Sequence, residues 1–383
     1  MSHMMQTNVE LMATTERVSM FVRNKEIFFE CSEIRSPSCD FAIWGALPIA
    51  MRFGGTLRVA GATSARARAN AERLSLIWST WLPKLFKPVR VQSDGYVEPE
   101  AVGGSRELML FSGGVDSTFA LKRHALEVGQ KPDLLTIHGM DYNRADADGF
   151  QRLQKKTEDF RRNYSGSSLE VKSNAASVMR RFGISSAIGH GFQLFSTLFL
   201  FDDVYRHGLI SSDFNKPQDF LSLPWGTNSL TNPMFAGSRM KIISLSDDVT
   251  RGDKVAALRN DAASLQSLSF CKNRSVRPDN CGICSKCVRT KAMFYATGGD
   301  VPDIFKVSGF QQSDLRFLDI SKAIEVAFVM DVLDQAERSG RIQEFKELNN
   351  LLYSGIRPSK LGRLLRKSEA IVRGMIASKS NDL

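Results

Sequence analysis

The chain lacks any apolar run of the roughly 18 residues that a membrane-spanning helix requires, and it has no internal repeat or long low-complexity stretch. Met1–Met5 is not followed by the apolar segment of a secretory signal and resembles a cloning remnant. These absences predict a cytoplasmic protein with no membrane partner. Hydrophobic residues make up 43% and charged residues 24% of the 383 residues, a globular balance that excludes a disordered chain.

Cysteine is scarce outside one short segment. Of six cysteines, four lie within Cys271–Cys287, whereas Cys31 and Cys39 stand apart. In a cytosolic protein such clustering argues for a metal site rather than for disulfides. We expect the two isolated cysteines to be ordinary buried or surface thiols.

Positive charge is in excess, with a formal net charge of +10 and a pI near 9.4. This balance favours polyanionic partners such as nucleotides, tRNA or DNA, and it is equally compatible with a soluble protein that has a basic tail. The basic run Arg357–Lys379 carries an apolar stripe and could bind nucleic acid, a membrane surface or a partner helix. The simpler interpretation, a solvated face, is the one we expect.

The order of predicted elements divides the chain into three units. Residues 1–97 are predicted to form a small N-terminal α+β unit that folds separately from the rest of the chain and influences partner or substrate choice. Residues 107–300 alternate short apolar strands with amphipathic helices, which indicates a doubly wound parallel α/β sheet. Residues 309–383 are predicted to be a helical extension.

Individual elements follow from local patterns. The N-terminal unit is predicted to contain one strand over Arg17–Glu30, a helix over Ala42–Phe53, a strand over Leu57–Val59, a helix over Ala65–Leu82 and a strand over Val89–Val91. A long apolar helix is predicted over Ile188–Tyr205. Strands of the second unit are predicted at Leu108–Phe111, Leu134–His138, Leu169–Lys172, Gly208–Ser212 and Met240–Leu245.

A glycine-containing loop, Phe111–Ser117 with the sequence FSGGVDS, lies between the first strand and the first helix of the second unit. Gly113 and Gly114 let the backbone turn tightly and approach a ligand. The N–H groups of the following helix, which is predicted over Asp116–Val128, would complete an anion cradle for the loop that contains Val115. Ser112 and Ser117 add hydroxyl donors to that cradle.

Asp116 places a negative charge in this cradle, so we expect a cation there, with Mg²⁺ bridging the carboxylate and pyrophosphate. No lysine follows the glycines, which excludes a Walker A loop. The loop resembles the signature of the PP-loop ATP pyrophosphatases. That resemblance implies binding of the β and γ phosphates of ATP and cleavage between the α and β phosphates, which leaves an adenylated substrate. It also implies that His138, at the end of the second strand, is near the adenine; an alternative is a strand-end residue with no ligand.

The cysteine cluster has the spacing C-x9-C-x2-C-x2-C. Its four thiolates, with Gly282 permitting a tight turn, suit a closed tetrahedral Zn²⁺ site of structural type. An iron–sulfur cluster is the competing interpretation. Basic neighbours favour the thiolate form. The predicted ligands are Cys271, Cys281, Cys284 and Cys287, and the basic neighbours are Lys272, Arg274, Lys286, Arg289 and Lys291.

Together, the loop and the cysteine cluster resemble the pattern of the 7-cyano-7-deazaguanine synthases, with one extra residue in the first cysteine spacer. The resemblance covers about Leu108–Thr297, so the flanking units indicate an enlarged, divergent relative. Such relatives occur in bacterial anti-phage operons and biosynthetic clusters. The resemblance implies an enzyme that joins a carboxylic acid, for example a deazapurine, to an amine.

Further residues could contact a ligand, and each also has a simpler structural interpretation. Gly189 and His190 open an apolar helix and could face a nucleotide or carboxylate, although a helix-start turn is the simpler interpretation. Trp225 could stack on a heterocycle or pack on the domain. Arg251 and Lys254 begin a helix and could reach the triphosphate or the substrate carboxylate; the alternative is a solvated helix start.

The sequence therefore favours an ATP-dependent ligase with ATP, Mg²⁺ and Zn²⁺ as cofactors and Asp116, Ser117 and Ser112 as catalytic residues. It would adenylate a small-molecule carboxylate and transfer the acyl group to ammonia, an amine donor or a partner protein. The alternatives are a tRNA-modifying PP-loop enzyme, such as a thiolase or a lysidine-type ligase, and a non-catalytic nucleotide-sensing scaffold. Nucleic acid binding through a basic surface and a homodimer are also left open.

Overall fold

The computed structural model describes residues 5–35, 37–97, 106–318 and 320–353. These ranges contain strands joined by helices and short 3₁₀ turns. The strands are β1 Gln6–Ala13, β2 Arg17–Val22, β3 Lys25–Glu30, β4 Gly55–Thr63, β5 Val89–Tyr96, β6 Glu107–Leu110, β7 Asp133–His138, β8 Ser168–Ser173, β9 His207–Ser211 and β10 Lys241–Leu245. The helices are α1 Asp40–Phe53, α2 Ala65–Trp81, α3 Val115–Val128, α4 Ala147–Tyr164, α5 Ala175–Arg181, α6 Ser186–Leu198, α7 Lys216–Ser222, α8 Arg251–Leu258, α9 Ala262–Ser267, α10 Ser285–Gly298, α11 Ala323–Arg338 and α12 Lys346–Tyr353.

All ten strands belong to one sheet, in the order β10-β9-β6-β7-β8-β3-β2-β1-β4-β5. The five strands from β10 to β8 run parallel. The chain passes from β6 to β7 and β8 on one side and then returns to place β9 and β10 on the other side. The predicted α/β class with a doubly wound arrangement is consistent with this order, and β6 and β9 flank the point where the strand order reverses.

The N-terminal strands extend the same sheet. β3 pairs antiparallel with β8 at Phe29 and Glu30, and the side chain of Asn174 completes the junction. Its Oδ1 accepts from the N–H of Phe28 at 2.9 Å, and its Nδ2 donates to the carbonyl of Glu26 at 2.9 Å. One mixed sheet therefore spans the boundary that was predicted near residue 97.

The hydrophobic core crosses that boundary as well. Phe235, from the loop before β10, packs on Trp44 of α1 at 5.0 Å and on Phe195 of α6 at 4.5 Å between ring centroids. The Ser196 hydroxyl donates to the carbonyl of Phe41 at 2.8 Å. The N-terminal elements and strands β6 to β8 thus share one buried cluster. This shared core argues against the separately folding unit that was predicted, and truncation tests that prediction. The sequence could not reveal the shared core, because hydrophobic patterns do not specify which surface covers them.

Three local predictions need correction. The single strand predicted over Arg17–Glu30 is a hairpin, because Arg23 and Asn24 adopt φ values of 50° and 59° and turn the chain. The helix predicted over Ile188–Tyr205 ends at Leu198 and continues only as a 3₁₀ turn. Strand β1 was not predicted, although its residues alternate between buried and exposed positions as far as Val9.

The C-terminal helices α11 and α12 are confirmed as helical up to Tyr353. α11 packs on α8 and α10 and shares a second buried cluster with three of the four clustered cysteines. The basic run Arg357–Lys379 lies outside the described residues. Among the residues that the structure does describe, no helix is both long and apolar enough to cross a bilayer.

Candidate functional site

A cavity of about 460 Å³ opens at the carboxyl ends of β6, β7 and β9. This is the reversal point of the strand order, where open α/β sheets place their ligands. Its lining comes from the FSGGVDS loop, the segments after β7 and β9, the helices α4, α5, α6 and α8, the loop that contains Trp225, and the cysteine segment with α10. Polar lining residues include Ser112, Asp116, Ser117, Asp141, His190, Asp213, Thr227, Arg251, Arg274, Arg277, Lys286 and Arg289.

The two glycines of the loop have different structural roles. Gly113 has φ +72°, and a Cβ there would lie 3.2 Å from both Leu153 and Thr157. Gly114 caps α3 with an ordinary φ of −75°, and an added Cβ would meet only the Ser112 hydroxyl at 3.3 Å. Gly113 is therefore required by the turn. Gly114 lines the cavity. A side chain at this position is therefore excluded only if a ligand in the cavity approaches the backbone closely.

The loop hydroxyls hold the turn together. Ser117 donates to the carbonyl of Gly114 at 3.2 Å, and the N–H of Gly114 donates to the Ser112 hydroxyl at 3.3 Å. The two hydroxyls lie 3.3 Å apart. Phe111, Val115 and both serines line the cavity. These weak internal bonds leave the hydroxyls and the first N–H groups of α3 available to an anion at the helix N-terminus.

Asp116 is neutralised by side chains of α8. Arg251 donates to both of its carboxylate oxygens, with Nε 3.2 Å from Oδ1, and Lys254 Nζ lies 3.3 Å from Oδ1. Asp116 was expected to need a metal cation, and in this structure two basic side chains supply the compensating charge. The prediction of Mg²⁺ at Asp116 therefore loses the argument on which it was based.

Arg251 and Lys254 are both near the loop, but only Arg251 lines the cavity. Lys254 is fully buried and also donates to the carbonyl of Ser212 at 2.5 Å. The N-terminus of α8 is occupied by a protein carboxylate, since Asp331 accepts from the backbone N–H groups of Arg251 and Gly252 at 3.1 and 3.4 Å. Burial raises the pKa of Asp331 to about 6. The solvated helix start that was considered for these residues is excluded by their burial.

His138 and Gly189 lie outside the cavity wall. The His138 ring stacks on Phe150 at 4.5 Å, and its Nε2 is 2.8 Å from the carbonyl oxygen of Asn143. An added Cβ at Gly189 would meet Ile184 and Met179 at 3.0 and 3.1 Å. Both residues serve packing in this structure.

His190 belongs to a polar chain that crosses the cavity wall. Its Nδ1 lies 2.8 Å from the Ser186 carbonyl oxygen, and its Nε2 lies 3.0 Å from the Thr227 hydroxyl. That hydroxyl is 3.3 Å from Asp213, which also accepts from the indole N–H of Trp225 at 2.8 Å. Burial lowers the pKa of His190, which favours a neutral ring with Nδ1 protonated.

Asp213 connects these polar side chains to the FSGGVDS loop. Its Oδ1 lies 3.4 Å from Arg251 Nη2, so Arg251 bridges Asp213 and Asp116. Burial alone would raise the pKa of Asp213, but the charge of Arg251 and the bond from Trp225 hold it below its ordinary value. Asp213 is therefore an ionised carboxylate within the cavity.

The four clustered cysteines form a compact site that could hold a metal ion such as zinc. Their Sγ atoms all lie within 4.8 Å of one another, and two pairs are 3.9 and 4.0 Å apart. Tetrahedral Zn–S bonds of about 2.3 Å place thiolates about 3.8 Å apart. The N–H groups of Ile283 and Cys284 point to Cys281 Sγ at 3.5 and 3.3 Å. This spacing favours a single ion over a multinuclear cluster.

Gly282 makes the turn of the knot possible. It has φ +81°, and a Cβ there would collide with the carbonyl oxygen of Val307. Hydrogen bonds from Cys271, Cys281 and Cys287 lower the pKa of Cys284, so thiolate character is present at the site.

The knot also positions basic side chains on the cavity wall. Arg277 donates through Nε to the Cys271 carbonyl at 2.5 Å and through Nη1 to Asp141. Arg289 pairs with Glu325 at 3.1 Å and lies over the Phe328 ring at 3.7 Å. Burial, followed by repulsion from Arg251, lowers the pKa of Arg289 to about 10. Lys291 instead donates to the Val307 carbonyl and does not line the cavity.

Three functional candidates escaped the sequence analysis: Asp141, Asp213 and Arg277. Asp141 and Asp213 follow the carboxyl ends of β7 and β9, where ligand-binding residues collect. Their position after predicted strand ends was the sequence signal that could have identified Asp141 and Asp213. Arg277 carried no signal, because only the folded knot aims it at the cavity.

No protein-family model, curated protein or solved structure matches this chain. The structure and the site chemistry therefore carry the functional argument alone.

Proposed function

We propose that the protein is an ATP-dependent ligase of the PP-loop class, similar to the 7-cyano-7-deazaguanine synthases. It would adenylate a small carboxylic acid and couple that acid to ammonia or another amine. The observation that carries the proposal is the position of the FSGGVDS loop: it meets the N-terminus of α3 on the wall of a cavity at the reversal point of a parallel sheet. That arrangement suits the phosphates of a nucleotide.

In this proposal the chain acts by positioning and charge compensation rather than by covalent catalysis. The N–H groups and hydroxyls of Ser112–Ser117 hold the β and γ phosphates. Arg251, fixed between Asp116 and Asp213, faces the negative charge that develops during α–β cleavage. Mg²⁺ would accompany ATP as its counter-ion, and because Asp116 is already paired with Arg251 and Lys254, no step is assigned to a protein-bound Mg²⁺.

The chemistry balances in two steps. A carboxylate oxygen of the acid attacks the α phosphorus, a new P–O bond forms, and the bond to pyrophosphate breaks. The amine nitrogen then attacks the acyl carbon, AMP leaves, and the nitrogen loses a proton. The ionised carboxylate of Asp213 and the neutral ring of His190 are two proton-accepting groups on the wall of this cavity.

Aromatic side chains support a flat acid such as a deazapurine. Tyr142, Phe270 and Trp225 line the cavity with Ile137 and Met140. Stacking on aromatic rings and apolar contact suit a heterocycle, and the cationic wall suits its carboxylate. A structural zinc ion in the cysteine knot would hold the cationic segment in place.

The test is the nucleotide product. The purified full-length protein is incubated with ATP, Mg²⁺, ammonium and a panel of carboxylic acids that includes a 7-deazapurine carboxylic acid, and products are separated by mass spectrometry. We expect acid-dependent AMP and pyrophosphate, with a mass that corresponds to an amide or nitrile. Gly114→Ala serves as the loop control. Formation of ADP, or AMP formed at equal rates by Gly114→Ala, would contradict the proposal.

A tRNA-modifying enzyme is a second candidate, favoured by one observation. An open groove beside the cavity shares Arg277 with it and is lined by Arg152, Lys155, Lys156 and Lys306, a basic surface that suits a phosphate backbone. A thiolase is disfavoured, because burial raises the pKa of Cys31 to about 12 and of Cys39 to about 11. Copurification of tRNA would favour a tRNA-modifying enzyme over the ligase. Acid-dependent AMP release would exclude the third reading, a scaffold that only senses nucleotides.

A further inference from the structure

The charges on the cavity wall are unequally matched. Each lining carboxylate has a basic partner: Asp116 and Asp213 pair with Arg251, and Asp141 pairs with Arg277. By contrast, the side chains of Lys286 and Arg274 have no hydrogen bond or ion pair with any residue in the described ranges. The wall formed by the cysteine segment and α10 therefore has an uncompensated positive charge.

Lys286 is in an unfavourable position for helix stability. It is half-buried in the first turn of α10, where the positive end of the helix dipole repels a cation. Arg251, Arg277 and Arg289 line the same cavity and add like charge. A half-buried ammonium without a counter-ion costs free energy. Such a cost is offset when an anion binds beside it.

The cysteine knot gives this wall its rigidity. Arg277 is anchored to the Cys271 carbonyl, and Lys286 lies between the knot residues Cys284 and Cys287 on α10. The Arg277 guanidinium group and the backbone of Lys286 are thus held by the same closed loop that could hold a metal ion. The phosphate loop has no part in this wall, since its charges are already satisfied by α8.

We propose that Lys286, Arg274 and Arg277 form a second anion subsite, distinct from the phosphate loop, which takes the carboxylate of the acid substrate. The identity of this ligand as the acid rests on the proposed ligase function, whereas the existence of a second anion site does not. Arg277 offers a fork for a planar carboxylate, and Lys286 supplies a point charge beside it.

The experiment counts pyrophosphate ions bound by the full-length, zinc-loaded protein in calorimetric titrations, because this polyanion suits both sites. We expect about two ions per chain in the wild type. The double variant Lys286→Met with Arg274→Gln should bind about one, and Gly114→Ala should also bind about one, at the other site. Lys272→Gln is the matched control: it removes an exposed cation of the same segment that does not line the cavity, so it should bind as the wild type.

Two further arms make the result specific. Lys286→Arg, made in the wild type, should still bind two ions, because it keeps the charge. Succinate, a dicarboxylate, should displace only the ion that the double variant fails to bind. The zinc content of each variant reports whether the knot is intact, and Arg274→Gln alone, at an exposed position, replaces the double variant if that variant loses zinc.

The outcomes separate the two proposals. The subsite is overturned if the double variant keeps both ions, or if the wild type binds a single ion that only Gly114→Ala removes; the ligase proposal then still stands. Failure of succinate to compete overturns the assignment to a carboxylate. If the wild type binds two ions but never releases AMP, the ligase proposal fails while the second anion site remains.

Discussion

Arg251 holds Asp116 through a two-point salt bridge, with Nε 3.2 Å from Oδ1 and Nη2 bonded to Oδ2. The two residues are 135 positions apart, and the fully buried Lys254 lies 3.3 Å from the same carboxylate. Asp116 is thus the counter-ion of two buried cations and the positioning residue for Arg251. Its loss should affect the fold as well as the reaction.

The first prediction concerns this ion cluster. Asp116→Asn should lower the free energy of unfolding by about 3 kcal/mol, because it leaves two buried cations with one carboxylate partner fewer. AMP formation should fall by about two orders of magnitude as Arg251 loses its orientation. Denaturant unfolding and nucleotide analysis measure the two effects. Asp94→Asn, which breaks an exposed pair with Arg58, is the control and should change stability by under about 1 kcal/mol. Unchanged stability of Asp116→Asn would show that Arg251 and Lys254 do not depend on this carboxylate.

The second prediction separates the two loop glycines. Gly113→Ala should destabilise the fold by about 1–2 kcal/mol, because φ is +72° and the new methyl group would crowd Leu153 and Thr157. Gly114→Ala should leave stability unchanged, because its φ is ordinary, and weaken ATP binding by about tenfold or more. Thermal denaturation and ATP titration check this pair. The reverse pattern would remove Gly114 from the ligand site.

The third prediction concerns the metal. The purified protein should contain about one zinc per chain. Cys284→Ser should lose the metal and unfold at lower denaturant, because metal binding at such a site is coupled to folding. Cys39→Ser, a cysteine outside the knot, should keep its zinc. Elemental analysis measures the metal content of each protein. A wild-type protein that contains neither zinc nor iron would contradict the prediction that the four cysteines bind a metal.

The fourth prediction uses the raised pKa values of the isolated thiols. With pKa values of about 12 and 11, Cys31 and Cys39 are almost entirely protonated at pH 7. Only the thiolate reacts, so modification should be very slow at neutral pH and should accelerate about tenfold per pH unit up to pH 10. The zinc-loaded protein is treated with an alkylating reagent and the sites are followed by peptide mass spectrometry, with the denatured chain as reference. Fast labelling of Cys39 at pH 7 would reopen the thiolase alternative.

The fifth prediction concerns the N-terminal strands. A fragment that begins at residue 100 would expose the edge of β8 and the face of α6 that packs on α1. We expect this fragment to aggregate, since a bare strand edge and an apolar helix face favour association. Solubility and light scattering provide the measurement. A soluble fragment that binds ATP would restore the separate unit that the sequence suggested.

Contiguous motifs were readable from the sequence because their chemistry is local. The FSGGVDS loop and the four cysteines each carry their own turn residues, Gly113 and Gly282, both with positive φ. The five parallel strands β6 to β10 were predicted to within one residue at each end, because short apolar runs between helices specify them. The sequence alone therefore indicated the turn of the FSGGVDS loop and the grouping of the four cysteines that could hold a metal ion.

Tertiary structure decided which residues distant in the sequence contact one another. Hydrophobic periodicity says that a face is buried, but it does not say against what, so the pairing of β3 with β8 and the packing of Trp44 near Phe195 were invisible. The same holds for charge. The sequence indicated that Asp116 needs a counter-ion but not which one. Only the fold brings Arg251 and Lys254 to Asp116 and leaves Lys286 unpaired. The energy of an ion pair depends on distance and burial rather than on sequence separation.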